Sequence, residues 1–286
     1  MRYSIALALC LLSVVAWAED QKPVRILFLS KSSGFIHSVI HSKDGSPSLV
    51  DTVLTKLAQE MGATLTTTKD AGLINAENLK NYDVVIFYTT GKLTEPGSDK
   101  QPPMAEKGVD ELLAWIRNGG GFIGFHCAND TFHADPPCSS PTTPFLQMLG
   151  GEFAGHGKQF AGKLIVTDPQ HPTMANLPNE WTVHEEWYTH CNLDRENIHV
   201  LALLDPGAER EKQAMYNVPN YPAIWCKAYG KGRVYYNSMG HREDVWENPT
   251  FQSVVRDAIR WCAGHGELKA EPNFDKVVPS DTASKK

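Results

Sequence analysis

The sequence lacks any excess of positive charge. Its 286 residues include 27 Lys and Arg against 33 Asp and Glu, a formal net charge of −6, and no basic block precedes the final lysines. Binding to a nucleic-acid backbone requires clustered Lys and Arg side chains. We therefore expect no nucleic-acid partner.

Long apolar runs are also scarce. The one clear run covers residues 5–15, follows Arg2 and precedes Ala16-Trp17-Ala18. It is too short to span a bilayer, and its flanks are typical of a secretory signal peptide. We predict that residues 1–18 are a signal peptide cleaved after Ala18. The mature chain is expected to be periplasmic or secreted, without further membrane contact.

Cysteine is sparse and never forms a C-x-x-C pair, which argues against a zinc knuckle or a thioredoxin-type motif. Cleavage of the predicted signal peptide removes Cys10. The remaining cysteines are Cys127, Cys138, Cys191, Cys226 and Cys262. An odd number leaves at least one free thiol in an oxidising compartment. The spacing allows a disulfide but does not assign its partners.

Several familiar catalytic motifs are missing. The sequence has no G-x-G-x-x-G or P-loop for a nucleotide and no G-x-S-x-G elbow for a serine hydrolase. His184 and His190 flank two glutamates but lie six residues apart, so they cannot share a helical face as in H-E-x-x-H. The sequence therefore offers no nucleotide-binding loop, no serine-hydrolase elbow and no zinc-protease helix motif.

Apolar patterning predicts an α/β fold. Buried strands are predicted at residues 24–30, 83–89 and 120–125, with amphipathic helices from Leu49 to Met61 and from Val109 to Ile116 between them. Such alternation implies a parallel sheet covered by helices. Further predicted elements are strands at residues 163–167, 198–204, 223–229 and 233–238, an irregular segment at 181–190, a last helix from Pro249 to Gly264, and a solvated tail at 267–286.

Histidines follow three of the predicted strands. His37, His126 and His241 each come just past a strand, and Asn129 and Asp130 follow His126 in the same loop. The carboxyl ends of parallel strands share one edge of the sheet, where ligands bind. A lone histidine at a strand end is usually structural, but three at equivalent positions favour a shared site.

Aromatic residues are concentrated in the second half of the chain. They are Trp181, Trp187, Tyr188, Phe153 and Phe160, in segments that also contain His156 and the acidic pair Glu185-Glu186. Aromatic faces with interleaved polar groups suit a sugar, and they equally suit an ordinary core. The pattern leaves both interpretations open.

An ordered set of segments resembles the ThuA-like (trehalose utilisation) family. The segments are residues 31–40, 119–126, 168–172, 185–188 and 230–241, within a match from about residue 24 to 264. The resemblance implies a class I glutamine amidotransferase-like fold, a flavodoxin-like three-layer sandwich with a mostly parallel central sheet, over residues 19–266. Amidotransferases carry a nucleophilic cysteine in a G-x-C elbow. Here Gly124-Phe125-His126 has histidine at that place, so we expect no glutaminase activity.

The resemblance implies a role in disaccharide catabolism through 3-keto-sugars, with a small carbohydrate as the partner. A ketone acidifies the neighbouring C–H, so a base can drive elimination, hydration or isomerisation. His126 or Glu186 is the predicted base and His241 the acid, and the same three side chains suit a zinc or manganese ion. The residues predicted to bind substrate are His37, Asn129, Asp130, His156, Trp187 and Tyr188. A non-catalytic carbohydrate-binding protein and a partner-binding module remain alternatives, and an oligomer stays open.

Overall fold

The computed structural model describes residues 22–42 and 45–279, so the predicted signal peptide and residues 280–286 lie outside the described residues. The strands are β1 (Arg25–Leu29), β2 (Thr64–Thr68), β3 (Val84–Phe87), β4 (Gly121–Phe125), β5 (Glu152–His156), β6 (Phe160–Val166), β7 (Glu180–Glu185), β8 (Tyr188–Cys191), β9 (His199–Asp205), β10 (Tyr221–Tyr229) and β11 (Gly232–Asn237). The helices are α1 (Leu49–Met61), α2 (Ala76–Leu79), α3 (Gly108–Arg117), α4 (Pro144–Leu149), α5 (Glu209–Lys212), α6 (Glu243–Glu247), α7 (Pro249–Cys262) and α8 (Phe274–Val277). Short 3-10 helices cover Ser38–Ile40, Ala71–Leu73, His126–Asp130 and Ala214–Tyr216.

Nine strands form one sheet in the order β2-β1-β3-β4-β11-β10-β9-β6-β7, and β5 pairs with β8 separately. Neighbours from β2 to β11 are parallel, and the pairs from β11 to β7 are antiparallel. Two strands of this sheet, β10 and β6, therefore run against the others. The predicted α/β fold with a mostly parallel central sheet is confirmed.

The sheet is covered on both faces. Successive residues of a strand point to opposite faces, so Ile26 and Phe28 pack with α1 and α7, whereas Leu27 and Leu29 pack with α3 and α4. Burial on two faces explains why β1, β3 and β4 are continuous apolar runs in the sequence. The result is the predicted three-layer sandwich.

The long helices begin and end where the sequence predicts. Ser48 caps α1 in a reciprocal capping box with Asp51, and Gly62 ends it with a φ of 65°, a left-handed conformation that favours glycine. The Asn248 side chain accepts hydrogen bonds from two N–H groups of the first turn of α7, and Pro249 occupies its first position. Local capping therefore fixes both helices of this layer.

Two parts of the sequence prediction are wrong for simple reasons. Strand β2 was missed because it is a threonine-rich edge strand, largely exposed, with no apolar run. The segment 181–190, predicted as irregular, contains most of β7 and β8, with Glu186 and Trp187 between them. Both strands mix polar or charged residues with aromatic ones, without a continuous apolar run, so the sequence pattern does not identify them.

The predicted solvated tail also needs correction, because residues 267–279 pack against the sheet. Ala270 and Phe274 are buried, and the Asn273 side chain accepts a hydrogen bond from Val200 N (2.6 Å) and donates one to Val200 O (3.0 Å). The register of β6 with β9 ends at Ala202, so Asn273 satisfies backbone groups that β6 does not reach. A few well-placed residues thus anchor a segment of low apolar content.

One disulfide joins Cys138 to Cys191, across 53 residues, and Cys127, Cys226 and Cys262 are free and buried. The bridge ties the loop before α4 to β8. Among the described residues, no helix is long and apolar enough to span a membrane.

The same loop is held by the buried carboxylate of Glu152, at the start of β5. Oε1 accepts hydrogen bonds from His133 Nδ1 (3.0 Å), Ala134 N (3.3 Å) and Cys138 N (3.0 Å). Oε2 accepts from Thr142 and Asn192. Burial raises the pKa of the Glu152 carboxyl, but these hydrogen bonds outweigh it and lower the pKa to about 2.

We expect Glu152→Gln to lower the free energy of unfolding by about 2–3 kcal/mol, because an amide nitrogen would face N–H donors. The difference in the free energy of unfolding between the wild type and this variant should be largest above pH 4.5, the ordinary pKa of a glutamate carboxyl. It should shrink as the pH falls towards 2. Urea unfolding at a series of pH values measures it.

Glu77→Gln, which alters an exposed pair with Lys80, is the control and should change nothing measurable. A Glu152→Gln protein as stable as the wild type at pH 7 would contradict the assigned role of this carboxylate.

Candidate active site

Four side chains meet at the carboxyl edge of the sheet. Ligand atoms of His37, His126, Glu186 and His241 all lie within 4.8 Å of one another. His37 follows β1, His126 follows β4, His241 follows β11 and Glu186 follows β7. The sequence predicted the three histidines at one sheet edge, and the structure brings them together with the predicted carboxylate. We call these four residues the His-Glu cluster.

His126 lies on a sharp elbow after β4. Its φ is 44°, a left-handed conformation that is strained for histidine and typical of functional sites. The buried ring donates from Nδ1 to the Ser238 carbonyl oxygen (2.8 Å), so the lone pair is on Nε2. Nε2 is 3.5 Å from Glu186 Oε2 and 3.3 Å from His241 Nδ1. The elbow therefore presents an unprotonated nitrogen to the cluster, and burial lowers the pKa of this imidazole.

His37 contributes a buried nitrogen without a partner. Nδ1 makes no hydrogen bond within the part of the chain that the structure describes, and the residue is 3% exposed. Its ring touches those of Phe35, Tyr88, His126 and His241 edge-on. Burial, with His126 and His241 close by, lowers the pKa of His37 to about 2. An orphaned nitrogen in such a cluster indicates a site for a ligand.

Glu186 is the charged centre of the site. Oε2 is 2.9 Å from His241 Nδ1, and Oε1 is 3.2 Å from His156 Nδ1. Burial raises the pKa of Glu186, but its contacts with the imidazoles of His126 and His241 outweigh it and hold the pKa well below its usual range. For His241, burial lowers the pKa and the Glu186 carboxylate raises it, with a net rise. The carboxylate is thus ionised and shared among three imidazoles.

Glu185 supports the His-Glu cluster from outside it. Its buried carboxylate accepts a hydrogen bond from Glu186 N on Oε1 and from Gly240 N on Oε2, both at 2.8 Å. Burial raises the pKa of Glu185 to about 7. The sequence drew attention to the Glu185-Glu186 pair but did not separate the roles of its members. The structure places Glu186 in the cluster and Glu185 between the segments that carry Glu186 and His241.

The remaining predicted residues divide into two groups. His156 is 42% exposed along its side chain and contacts Glu186, and the Tyr188 ring lies 4.0 Å from the His126 ring, so both border the cluster. Trp187 and Asn129 are fully buried, so neither lies on the exposed border of the cluster, and their role in binding substrate stays a prediction.

The Trp187 indole fills the space beside Gly162 and donates to Phe160 O, as a core residue does. The Asn129 amide contacts His190 Nδ1, and Asp130 pairs with His133. Neighbouring positions along a chain point in different directions, so a polar or aromatic run does not reach a site as a block.

The comparisons with known proteins agree with this fold. A family model described as trehalose utilisation, ThuA, matches residues 25–262. A ThuA-like protein from Bacteroides uniformis has 23% sequence identity and a TM-score of 0.66, covering 90% of this chain and 97% of that one. A second, from Parabacteroides merdae, has 16% identity and a TM-score of 0.62, covering 91% and 96%.

No curated protein sequence is a significant match. The structural likenesses, at these identities, establish the shared flavodoxin- and amidotransferase-like fold. The match of the family model over most of the sequence shows that the chain belongs to the ThuA, or trehalose utilisation, family.

Proposed function

We propose that the protein is a metal-assisted enzyme that acts on a 3-keto-sugar or glycoside in disaccharide catabolism. The observation that carries this proposal is the convergence of three imidazoles and one carboxylate within 4.8 Å, at the edge of an α/β sheet where ligands bind. The family description, trehalose utilisation, supports a disaccharide-derived substrate.

The donor set fits a divalent cation. Neutral imidazoles and a carboxylate are ligands of zinc and manganese. His126 has its Nδ1 hydrogen bonded to Ser238 O, the outer contact that orients metal-binding histidines, and His37 Nδ1 has no partner among the described residues. His37, His126, Glu186 and His241 would hold the ion. When bound, it supplies Lewis-acid polarisation of a carbonyl oxygen.

The proton-transfer groups border the cluster. Because His126 is fully buried, we assign it to the ligand set, although the sequence offered it as a base. The exposed His156 imidazole is oriented through Nδ1, which lies 3.0 Å from Gly157 O and 3.2 Å from Glu186 Oε1, and this makes His156 the accessible base. It removes the proton on C2 of a 3-keto-glycoside, the electron pair forms the C1–C2 double bond, and the C1–O bond breaks. The protonated His156 imidazole then returns this proton to the departing oxygen, because His241, which the sequence offered as the acid, belongs to the ligand set, and the Tyr188 hydroxyl contacts the sugar.

We also propose that the chain works in a periplasmic or extracellular compartment. The signal-peptide pattern of residues 1–18 supports this. The Cys138–Cys191 disulfide supports it independently, since such bridges persist in oxidising compartments.

Metal analysis tests the ligand set. We expect the mature protein, purified without chelator or affinity histidines, to contain about one zinc or manganese per chain by plasma mass spectrometry. His126→Ala should lose the metal because a buried ligand is removed. His265→Ala, an exposed histidine near the amino end of β4, should keep it. A wild-type protein that neither contains nor takes up zinc or manganese would overturn the metal assignment.

Turnover tests the reaction. We expect the protein to convert 3-keto-trehalose to an unsaturated or hydrated sugar and free glucose, and His156→Ala to slow this by about a hundredfold or more through loss of the base. His184→Ala, an exposed histidine of β7, is the matched control and should act as the wild type does. Saturable binding with chemically unchanged ligand would identify a carbohydrate-binding protein instead and refute catalysis.

Glu185 has a testable positioning role. Glu185→Gln leaves one oxygen for two N–H donors, so Glu186 or Gly240 loses its partner. We expect a 10–100-fold weaker affinity for zinc by calorimetry, in a protein that remains folded at the assay temperature. Glu77→Gln should leave the affinity unchanged. Wild-type affinity in a folded Glu185→Gln protein would show that these two hydrogen bonds do not position the ligands.

A further inference from the structure

An exposed aromatic side chain stands beside the His-Glu cluster. Phe35 is 65% exposed and the next residue, Ile36, is 37% exposed. The Phe35 ring lies 4.9 Å from the ring of His37, edge-on. Within the described part of the chain, the other large hydrophobic side chains exposed to a similar degree are Val218 and Leu268, and neither adjoins another in sequence. A pair of exposed apolar residues at a site is a feature to explain.

The loop that carries Phe35 is fixed. Ser33 N donates to Thr90 O (2.8 Å), Gly34 N donates to Thr90 Oγ1 (3.2 Å), and Thr90 Oγ1 donates to Phe35 O (2.9 Å). Gly91 packs so closely that a Cβ there would lie 2.9 Å from Gly34 N. The backbone of this loop therefore holds the Phe35 ring in solvent. Because the loop is already ordered, the protein loses little conformational entropy when a ligand binds there.

A second aromatic wall borders the cluster elsewhere. The His156 ring is nearly parallel to that of Tyr188, with centroids 5.8 Å apart, and Phe153 lies 4.3 Å from Tyr188. This wall meets the cluster at Glu186 and His126, whereas Phe35 meets it at His37. The His-Glu cluster thus has aromatic groups on two of its borders.

We propose that Phe35 and Ile36 form a subsite for the ring that leaves in the reaction, held by its apolar C–H or aryl face. The proposal rests on the function proposed above, and it adds a second surface that would determine which substrates the enzyme accepts. The reacting ring would occupy the side of His156 and Tyr188, and the leaving ring would lie on Phe35. An aromatic ring packs well against the C–H face of a pyranose or against an aryl group. A glycoside with a small leaving group would not reach this surface.

Calorimetric titration with trehalose, phenyl α-glucoside and methyl α-glucoside tests this subsite. We expect the wild type to bind the two-ring ligands more tightly than methyl α-glucoside. Phe35→Ala should weaken two-ring binding by about tenfold and leave methyl α-glucoside binding unchanged, because only the second ring loses its contact. Phe35→Trp should retain the preference. A loss confined to trehalose identifies the leaving ring as a sugar, and a loss confined to the phenyl ligand identifies an aryl group.

Leu268→Ala is the control, because Leu268 is also apolar and exposed (42%) but follows α7, whose end packs beside Gly121 at the opposite end of β4. The metal content of Phe35→Ala should equal that of the wild type. A two-ring preference that survives Phe35→Ala would overturn the subsite and leave the proposed function intact. A wild type that binds none of the three glucosides would overturn the subsite, whereas the turnover of 3-keto-trehalose decides the proposed function separately.

Discussion

The buried carboxylate of Glu185 links the two chain segments on which the site depends. Strand β7 lies at one end of the nine-stranded sheet, five positions from β4, and nothing in the strand order requires its end to meet those of β4 and β11. Glu185 accepts one backbone N–H from the β7 end and another from the turn after β11. Both oxygens of one side chain therefore fix the spacing between Glu186 and His241. This role requires the Glu185 carboxylate to be buried away from water, and its desolvation raises the pKa of Glu185.

The elbow at His126 shows how one backbone serves different chemistry. The chain leaves β4 through a left-handed residue, at the place where the G-x-C elbow of amidotransferases has its cysteine, but the side chain there is an imidazole held by Ser238 O. A thiolate at such a place attacks a substrate directly. An imidazole whose free nitrogen faces two other histidines and a carboxylate is suited to binding an ion or sharing a proton. The fold supplies the position, and the residue at that position decides the reaction.

The sequence predicted those parts of the molecule that local patterns control. Continuous apolar runs identified β1, β3 and β4, and the helical spacing of apolar residues identified α1 and α7. The three strand-end histidines followed from topology, because parallel strands share an edge. What could not be predicted depends on distant partners: the separation of Glu185 from Glu186, the burial of Trp187 against Gly162, and the docking of Asn273 on β9. No local pattern encodes where those partners lie.

The distribution of thiols has a consequence for how the chain must mature. Cys138 and Cys191 form the disulfide, whereas Cys127, Cys226 and Cys262 are buried. Burial raises the pKa of each of these three thiols, so in the folded protein they do not become the thiolates that exchange reactions need. Before the chain folds, the same thiols are accessible, and in an oxidising compartment they would compete with Cys138 and Cys191 for oxidation. Formation of the Cys138–Cys191 disulfide alone therefore requires that the sheet packs around these three side chains faster than an oxidant reacts with them.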